Sequence, residues 1–164
     1  MANGDCLFYL QYVERGNKRM SYDMHVNNFY GSSKQTHPHG GTPDKIYQHL
    51  KDKGYRISDF DPCPNNPTFD GLEIEWPNET IYVNPPYSRG QLCKWVKKCY
   101  DEYRAGKTII MLIPSYTDTR YFHEYIYHIA EIEFIKGRLK FKGYNSTASF
   151  PSMLVYFEGG CNNE

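Results

Sequence analysis

The sequence predicts an α/β protein with a mostly parallel sheet, helices on both faces and an antiparallel edge. Between residues 42 and 157, short apolar runs alternate with amphipathic segments of helical period, the pattern of strands joined by right-handed helical crossovers. The run Thr108–Ile113 is almost entirely apolar, which is typical of a central parallel strand. The last apolar runs follow one another without a helix between them, so we expect them to pair antiparallel at the edge.

The residues Thr42-Pro43-Asp44 predict the start of the first helix. A hydroxyl at the N-cap, proline at the first helical position and an acid in the first turn are a typical helix start. Gly54 is expected to end this helix, because glycine readily adopts the left-handed backbone found after a helix.

The remaining elements are predicted from the same periodicities. The expected helices are Arg89–Ala105, stopped by Gly106, and a helix carrying Tyr121 to Ile129. We expect residues 1–41 to be an irregular extension, 42–158 one domain and 159–164 a tail. The expected strands are Tyr55–Phe60, Ile81–Asn84, Thr108–Ile113, Glu131–Ile135, Leu139–Phe141 and Met153–Phe157.

Composition narrows the class of protein. No stretch approaches the ~20 apolar residues of a membrane span, and the first residues lack the features of a signal peptide, so we expect a cytoplasmic protein. The five cysteines are odd in number and contain no Cys-x-x-Cys pair, which indicates neither a disulfide framework nor zinc, and we expect no metal. Net charge is zero, but residues 89–142 hold 11 Lys and Arg against 6 Asp and Glu, a distribution suited to phosphate contacts.

The most informative motif is Asn84-Pro85-Pro86-Tyr87, directly behind the apolar run 81–83. In open α/β sheets, ligands bind beyond the carboxyl ends of the strands. The two prolines stiffen the loop and leave carbonyl acceptors without amide donors. Asn84 adds a side-chain acceptor, and Tyr87 adds a ring that stacks well on a base. The loop is therefore suited to holding a planar amino group.

With its flanking motifs, the segment from Thr42 to Phe157 resembles the small phage-type (Dam-like) DNA N6-adenine methyltransferases, which depend on S-adenosylmethionine. Nine landmarks of that family occur in the right order. They are Thr42-Pro43; Asp61-Pro62-Cys63; Gly71-Leu72 with Trp76; Asn84 to Ser88; Trp95-Val96; Ile113-Pro114 with Thr117-Asp118-Thr119; Phe122-His123; Gly137 to Phe141; and Pro151 to Val155.

The resemblance implies a Rossmann-like methyltransferase domain over residues 42–158, of phage or viral origin and located in the host cytoplasm. It implies methyl transfer from S-adenosylmethionine to adenine N6 in double-stranded DNA, with the target base flipped out of the helix. The catalytic residues would be Asn84, Pro85, Pro86 and Tyr87. Cofactor would be bound by Thr42, Pro43, Asp61, Cys63, Asp70 and Asn84, with Glu73 and Glu75 as alternatives to Asp70. DNA or the target base would contact Ser88, Ser115, Thr117, Asp118, Arg138 and Lys140.

Several alternatives stay open. The same arrangement of hydrogen-bond acceptors and aromatic ring suits the amino group of an RNA adenine, a cytosine N4 or a protein glutamine amide. A catalytically silent methyltransferase fold that binds nucleic acid is also consistent with a cofactor loop that has no glycine before Gly71. Asp61 is equally a turn residue before proline, and Thr42 a simple helix cap. Thr117 or Asp118 is equally a helix cap, and Arg138 and Lys140 are equally ordinary exposed charges. Oligomeric state is not predicted.

Overall fold

The computed structural model describes residues 41–88 and 90–159. The expected N-terminal extension, except Gly41, and the tail beyond Gly159 lie outside these residues, as does Arg89. Three helices and four strands follow in chain order. They are α1 (Asp44–Asp52), β1 (Thr80–Val83), α2 (Gln91–Arg104), β2 (Thr108–Pro114), α3 (Arg120–Tyr125), β3 (Glu131–Phe134) and β4 (Ser152–Phe157).

The four strands form one mixed sheet in the order β1-β2-β4-β3. β1 and β2 pair in parallel, whereas β4 pairs antiparallel with both β2 and β3. Two of the three pairings are thus antiparallel, so the expectation of a mostly parallel sheet is not met by the described residues. The reason is the position of β4. β1, β2 and β3 run in one direction, but the single reversed strand lies between β2 and β3 and removes their parallel pairing.

Two predicted strands are absent from the described sheet. Tyr55–Phe60 contributes only an isolated parallel bridge between Ile57 and Thr80. Leu139–Phe141 is not a strand, although Leu139 and Phe141 are buried and Lys140 between them is exposed. Glycines with positive φ, at 137 and 143, flank this segment, and its alternating burial is that of an extended loop lying on the core.

α1 and α2 begin and end close to the predicted positions, but the N-cap of α1 is not the expected residue. α1 has Pro43 as its N-cap and no side-chain cap. The Thr42 hydroxyl, the expected cap, is instead hydrogen-bonded to the Tyr82 hydroxyl at 3.0 Å. α3 is shorter than predicted, and its N-cap is Thr119 rather than Thr117 or Asp118.

Helices cover both faces of the sheet, as predicted. One face packs against α2 and α3, and the other against α1 and the segment around Leu139. Because the central strands are buried on both faces, β2 and β4 are apolar at nearly every position. The cluster on the α2 side includes Val83, Trp95, Val96, Cys99, Met111, Phe122 and Val155; the opposite cluster includes Ile46, Leu50, Tyr82, Leu112, Phe141 and Leu154. No helix in the described part of the chain is long and apolar enough to cross a membrane.

Candidate active site

Three loops meet at one edge of the sheet. Parallel pairing of β1 with β2 brings the loop after Val83 beside the carboxyl end of β2. The reversed strand β4 begins at that same end, since Ser152 pairs with Pro114. The backbone amide of Ser115 also donates to the Pro151 carbonyl at 3.0 Å. The connection from β3 to β4 therefore returns to the edge that carries Asn84.

Asn84 and Tyr87 form a hydrogen-bonded unit with β2. The Tyr87 hydroxyl lies 2.6 Å from Asn84 Oδ1 and 2.9 Å from the Leu112 carbonyl oxygen. A phenol has one hydrogen, so the two acceptors share a single donor. Burial raises the pKa of Tyr87 well above its ordinary value, so that hydrogen stays in place even in alkaline solution. The motif loop is thereby tied to the neighbouring strand.

The ring of Tyr87 belongs to an aromatic cluster formed with Phe141, Phe150 and Tyr116. Tyr87 packs edge-on against Phe150, with ring centroids 5.6 Å apart, and against Phe141 at 6.1 Å. Phe150 in turn contacts Tyr116 at 6.4 Å. Such T-shaped contacts are favourable aromatic geometry. Sequence reasoning assigned no site role to these three partners; Phe141 lies in a quoted landmark, whereas nothing local marks Phe150 or Tyr116.

A polar cavity of about 220 Å³ adjoins Asn84 on the side of α1. It contains one acidic and one basic side chain, Asp61 and Lys142, together with hydroxyls, amides and a thiol. Tyr47 is 43 % exposed and its ring lies 5.1 Å from that of buried Tyr82. The lining residues are Gly41, Thr42, Tyr47, Asp61, Cys63, Asn65, Tyr82, Asn84 and Lys142.

The loop carrying Asp61 is shaped by its own turn and by a distant glycine. Asp61 Oδ1 accepts from the Cys63 amide at 2.8 Å, the turn that the sequence offered as an alternative to a binding role. This bond engages one carboxylate oxygen, so both roles are compatible. A Cβ on Gly71 would lie 1.9 Å from the Pro62 carbonyl oxygen. Gly71 therefore supplies the close backbone approach that the loop itself, lacking glycine, does not.

Four of the residues predicted to bind cofactor line this cavity: Thr42, Asp61, Cys63 and Asn84. Buried Pro43 adjoins it in sequence as the N-cap of α1. Asp70 does not line the cavity, and its Oδ1 accepts from the Leu72 amide at 2.9 Å. Glu73 and Glu75 are likewise exposed and outside the lining.

The predicted DNA-binding residues are spread along the same edge. The Ser115 hydroxyl is buried without a hydrogen-bond partner among the described residues. Thr117 and Asp118 lie in an exposed turn before α3. Arg138 and Lys140 are exposed on the β3–β4 connection. Ser88 is also exposed, and its carbonyl accepts from the first amides of α2.

Sequence reasoning missed five residues of the cavity, among them Gly41, which was expected to belong to the irregular extension. Tyr47 and Tyr82 follow the apolar patterns of a helix and a strand, so they were counted as core. Lys142 was expected, like Arg138 and Lys140, to be either a DNA phosphate contact or an ordinary exposed charge, and Asn65 to be part of a rigid polar loop. Polar tips on otherwise apolar elements were the available signal for the tyrosines.

Comparison with known protein families identifies the family of this chain. The model of the family described as DNA N-6-adenine-methyltransferase (Dam) matches residues 41–157. The chain belongs to this family. Membership in the Dam family supports adenine N6 methylation of DNA as its general activity, and methyltransferase families generally use S-adenosylmethionine. No curated protein gives a significant match. Within the described residues of this Dam-family chain, no group of three or more His, Cys, Asp or Glu could hold a metal ion.

Proposed function

We propose that this chain, with residues 42–158 as its catalytic domain, transfers the methyl group of S-adenosylmethionine to N6 of an adenine flipped out of double-stranded DNA. The observation that carries the proposal is the position of Asn84. It lines the polar cavity together with Asp61 and Thr42, and it is hydrogen-bonded to Tyr87 of the aromatic cluster. One amide thus adjoins both the proposed cofactor cavity and the proposed base pocket, as direct transfer between two bound molecules requires.

The donor set of the cavity fits the amino-acid and sulfonium end of the cofactor. Asp61 suits an ammonium, the Thr42 and Tyr82 hydroxyls suit a carboxylate or hydroxyl group, and the Tyr47 ring offers a face to a sulfonium cation. The cavity is smaller than the roughly 300–1,000 Å³ of sites that enclose a whole drug-sized ligand. We therefore assign to it one end of the cofactor rather than the complete molecule.

The aromatic cluster is the proposed pocket for the extruded base. Leaving the DNA stack costs a base its stacking energy, which aromatic side chains restore in part. At this edge the ring of Tyr87 contacts that of Phe150, and the ring of Phe150 contacts that of Tyr116. The unpartnered hydroxyl of Ser115 would find a hydrogen-bond partner on a bound base. Arg138 and Lys140 are exposed on the β3–β4 connection and would contact DNA phosphates.

The reaction needs polarisation of the amino group more than a strong base. When bound, S-adenosylmethionine supplies an electrophilic methyl group on a sulfonium. The adenine amino lone pair is delocalised into the ring, so Asn84 Oδ1 and the Pro85 carbonyl would accept its two hydrogens and localise the lone pair toward the methyl group. Such pre-placed dipoles lower the barrier without titrating. As the N6–methyl bond forms, the sulfur–methyl bond would break with its electron pair left on sulfur as a neutral thioether, and the surplus N6 proton would pass to water.

The test is nucleoside mass spectrometry of unmethylated DNA incubated with the protein and S-adenosylmethionine. The expected product is N6-methyladenine, reduced about a hundredfold or more by Asn84→Ala, since removal of one transition-state dipole has that scale of effect. Asn78→Ala, at an exposed position outside the cavity, is the matched control and should leave the yield unchanged. Cofactor binding without any methylated DNA base would reject DNA as the substrate, and assays on RNA and on protein amides would then follow.

Base flipping has a separate test once the methylated site is mapped. A duplex in which the target adenine faces an abasic site costs less to open, so it should bind more tightly than the paired duplex. Equal affinity for the two duplexes would contradict extrusion of the base.

A further inference from the structure

Two opposite charges face the polar cavity without pairing with each other. Among the residues that the structure describes, Lys142 and Asp61 are the charged residues that line it. The Lys142 ammonium is instead paired with Asp44 in the first turn of α1, and Asp61 accepts from the amide of Cys63. A ligand that carried one negative and one positive group would meet a complementary charge at each.

The backbone of Lys142 is fixed at the mouth of this cavity. Its amide donates to the Gly41 carbonyl at 2.7 Å, and its carbonyl accepts from the Gly41 amide at 3.1 Å. A Cβ on Gly41 would lie 3.1 Å from Lys142 Cβ, so the two segments are in close contact. This two-residue bridge holds the β3–β4 connection against the residues that lead into α1.

The Lys142 side chain is available for exchange. Its side chain is 53 % exposed, and that of Asp44 is 86 % exposed. Exposed ion pairs contribute little net stability, so Lys142 can leave Asp44 for another carboxylate at small cost. The charges of Asp61, Asp44 and Lys142 all act on the Tyr47 hydroxyl. Burial is the main cause of its raised pKa; Asp61 and Asp44 raise that pKa further, whereas Lys142 lowers it.

We propose that Lys142 is the binding residue for the α-carboxylate at the methionine end of the cofactor, exchanging Asp44 for it, while Asp61 accepts from the α-ammonium. The inference rests on the proposed function, because it names the group that orients the cofactor in the cavity. An α-amino acid carries both charges on one carbon, whereas the ribose and adenine of the cofactor carry neither. Lys142 directly follows Phe141 of the aromatic cluster, so one connection serves both the cofactor and the base pocket.

The test uses calorimetric binding of two ligands to the full chain. S-Adenosylhomocysteine carries both the carboxylate and the ammonium; S-adenosyl-3-thiopropylamine keeps the ammonium and lacks the carboxylate. Lys142→Met, which retains an apolar stem, should weaken S-adenosylhomocysteine binding about tenfold, the scale of one charge-assisted hydrogen bond. It should change binding of the thiopropylamine less than about twofold. Lys136→Met, on the same connection and outside the cavity lining, should change neither.

Each other outcome rejects the assignment. Equal weakening of both ligands would make Lys142 a structural residue of the cavity, and weaker DNA binding with intact S-adenosylhomocysteine binding would make it a phosphate contact. If the wild-type protein binds neither ligand, the proposed function fails together with this inference; if it binds both equally, only this inference fails. Should Lys142→Met not fold, Asp44→Asn replaces it: freeing Lys142 should strengthen binding of S-adenosylhomocysteine alone, and an equal effect on both ligands would reject the assignment.

Discussion

Gly71→Ala tests how this chain positions the Asp61 loop, the proposed cofactor loop, which contains no glycine. In the structure a Cβ at residue 71 would lie 1.9 Å from the Pro62 carbonyl oxygen, 2.8 Å from its carbonyl carbon and 2.9 Å from Trp95 Cη2. Carbon and carbonyl oxygen pack at about 3.3 Å at closest. The Pro62 backbone must therefore retreat by roughly 1.4 Å, and Asp61 moves with it.

This displacement has two measurable consequences. Overpacking of this kind costs about 1–3 kcal/mol, and contact with backbone on one side and a buried indole on the other places Gly71→Ala near 3 kcal/mol. For a chain of this length that corresponds to a fall in Tm of about 6–12 °C. Because Asp61 lines the cavity, affinity for S-adenosylhomocysteine, measured by calorimetry below the transition, should fall as well.

Gly54→Ala is the matched control. Gly54 has φ of +93°, and a Cβ there would meet nothing within 4 Å. Its substitution costs only the left-handed backbone strain of about 1–2 kcal/mol, and Gly54 is not among the residues that line the cavity, so ligand affinity should be unchanged. A Gly71→Ala protein that is no less stable than Gly54→Ala, and that binds the ligand normally, would refute the claim that Gly71 positions the Asp61 loop.

Three further expectations concern single side chains. Tyr87→Phe keeps the ring but removes the donor to Asn84, so single-turnover methylation should slow about tenfold at unchanged DNA affinity; an unchanged rate would contradict this. Glu102→Gln leaves buried Lys107 without its carboxylate and should cost about 3 kcal/mol in urea unfolding at pH 7. Burial raises the pKa of Glu102, but hydrogen bonds from lysines outweigh it and lower the pKa below its ordinary value, so the difference should shrink as acid titrates that carboxyl; a constant difference would contradict the pairing. Burial raises the pKa of Cys63 to about 12, so deprotonation should destabilise the fold only above about pH 9, and Ellman's reagent should label this cavity thiol in native protein at pH 8 far more slowly than a thiol of ordinary pKa; labelling at an ordinary rate would contradict the raised pKa.

Local elements were predictable because their signals are local. The spacing of apolar residues and a following glycine place the helix before Gly106 within two residues of its observed ends, and Gly106 has φ of +95°. The all-apolar run beginning at Thr108 is strand β2. The segment at Leu139–Phe141 has the same alternation as a strand, yet it is a loop, because no neighbouring strand is available to pair with it in the described sheet. Alternation reports burial on one side and does not by itself report pairing.

The sequence singles out Asn84 to Tyr87 as a candidate site because these residues are contiguous and their chemistry can be interpreted without knowing what surrounds them. The cavity was predictable only in part. Asp61 and Thr42 carry polar side chains at turns, where a functional role is an obvious question. Tyr82 carries an equally relevant hydroxyl, bonded to Thr42, but its position in an apolar strand is explained fully by packing. Only the packing of Tyr82 against α1 distinguishes a role in the core from a role in the cavity.

The residues that sequence reasoning missed depend on strand order, which no short pattern contains. Had β4 extended the sheet beyond β3, its start would have lain one strand farther from β2. Insertion between β2 and β3 instead places Ser152 against Pro114, so the connection from β3 must end at the carboxyl edge of β2. Phe150 lies two residues before that pairing and thereby contacts Tyr87, and Lys142 on the same connection faces the cavity. The reversed strand that makes the sheet less parallel than expected is thus the feature that brings the proposed base pocket and cofactor cavity to one edge.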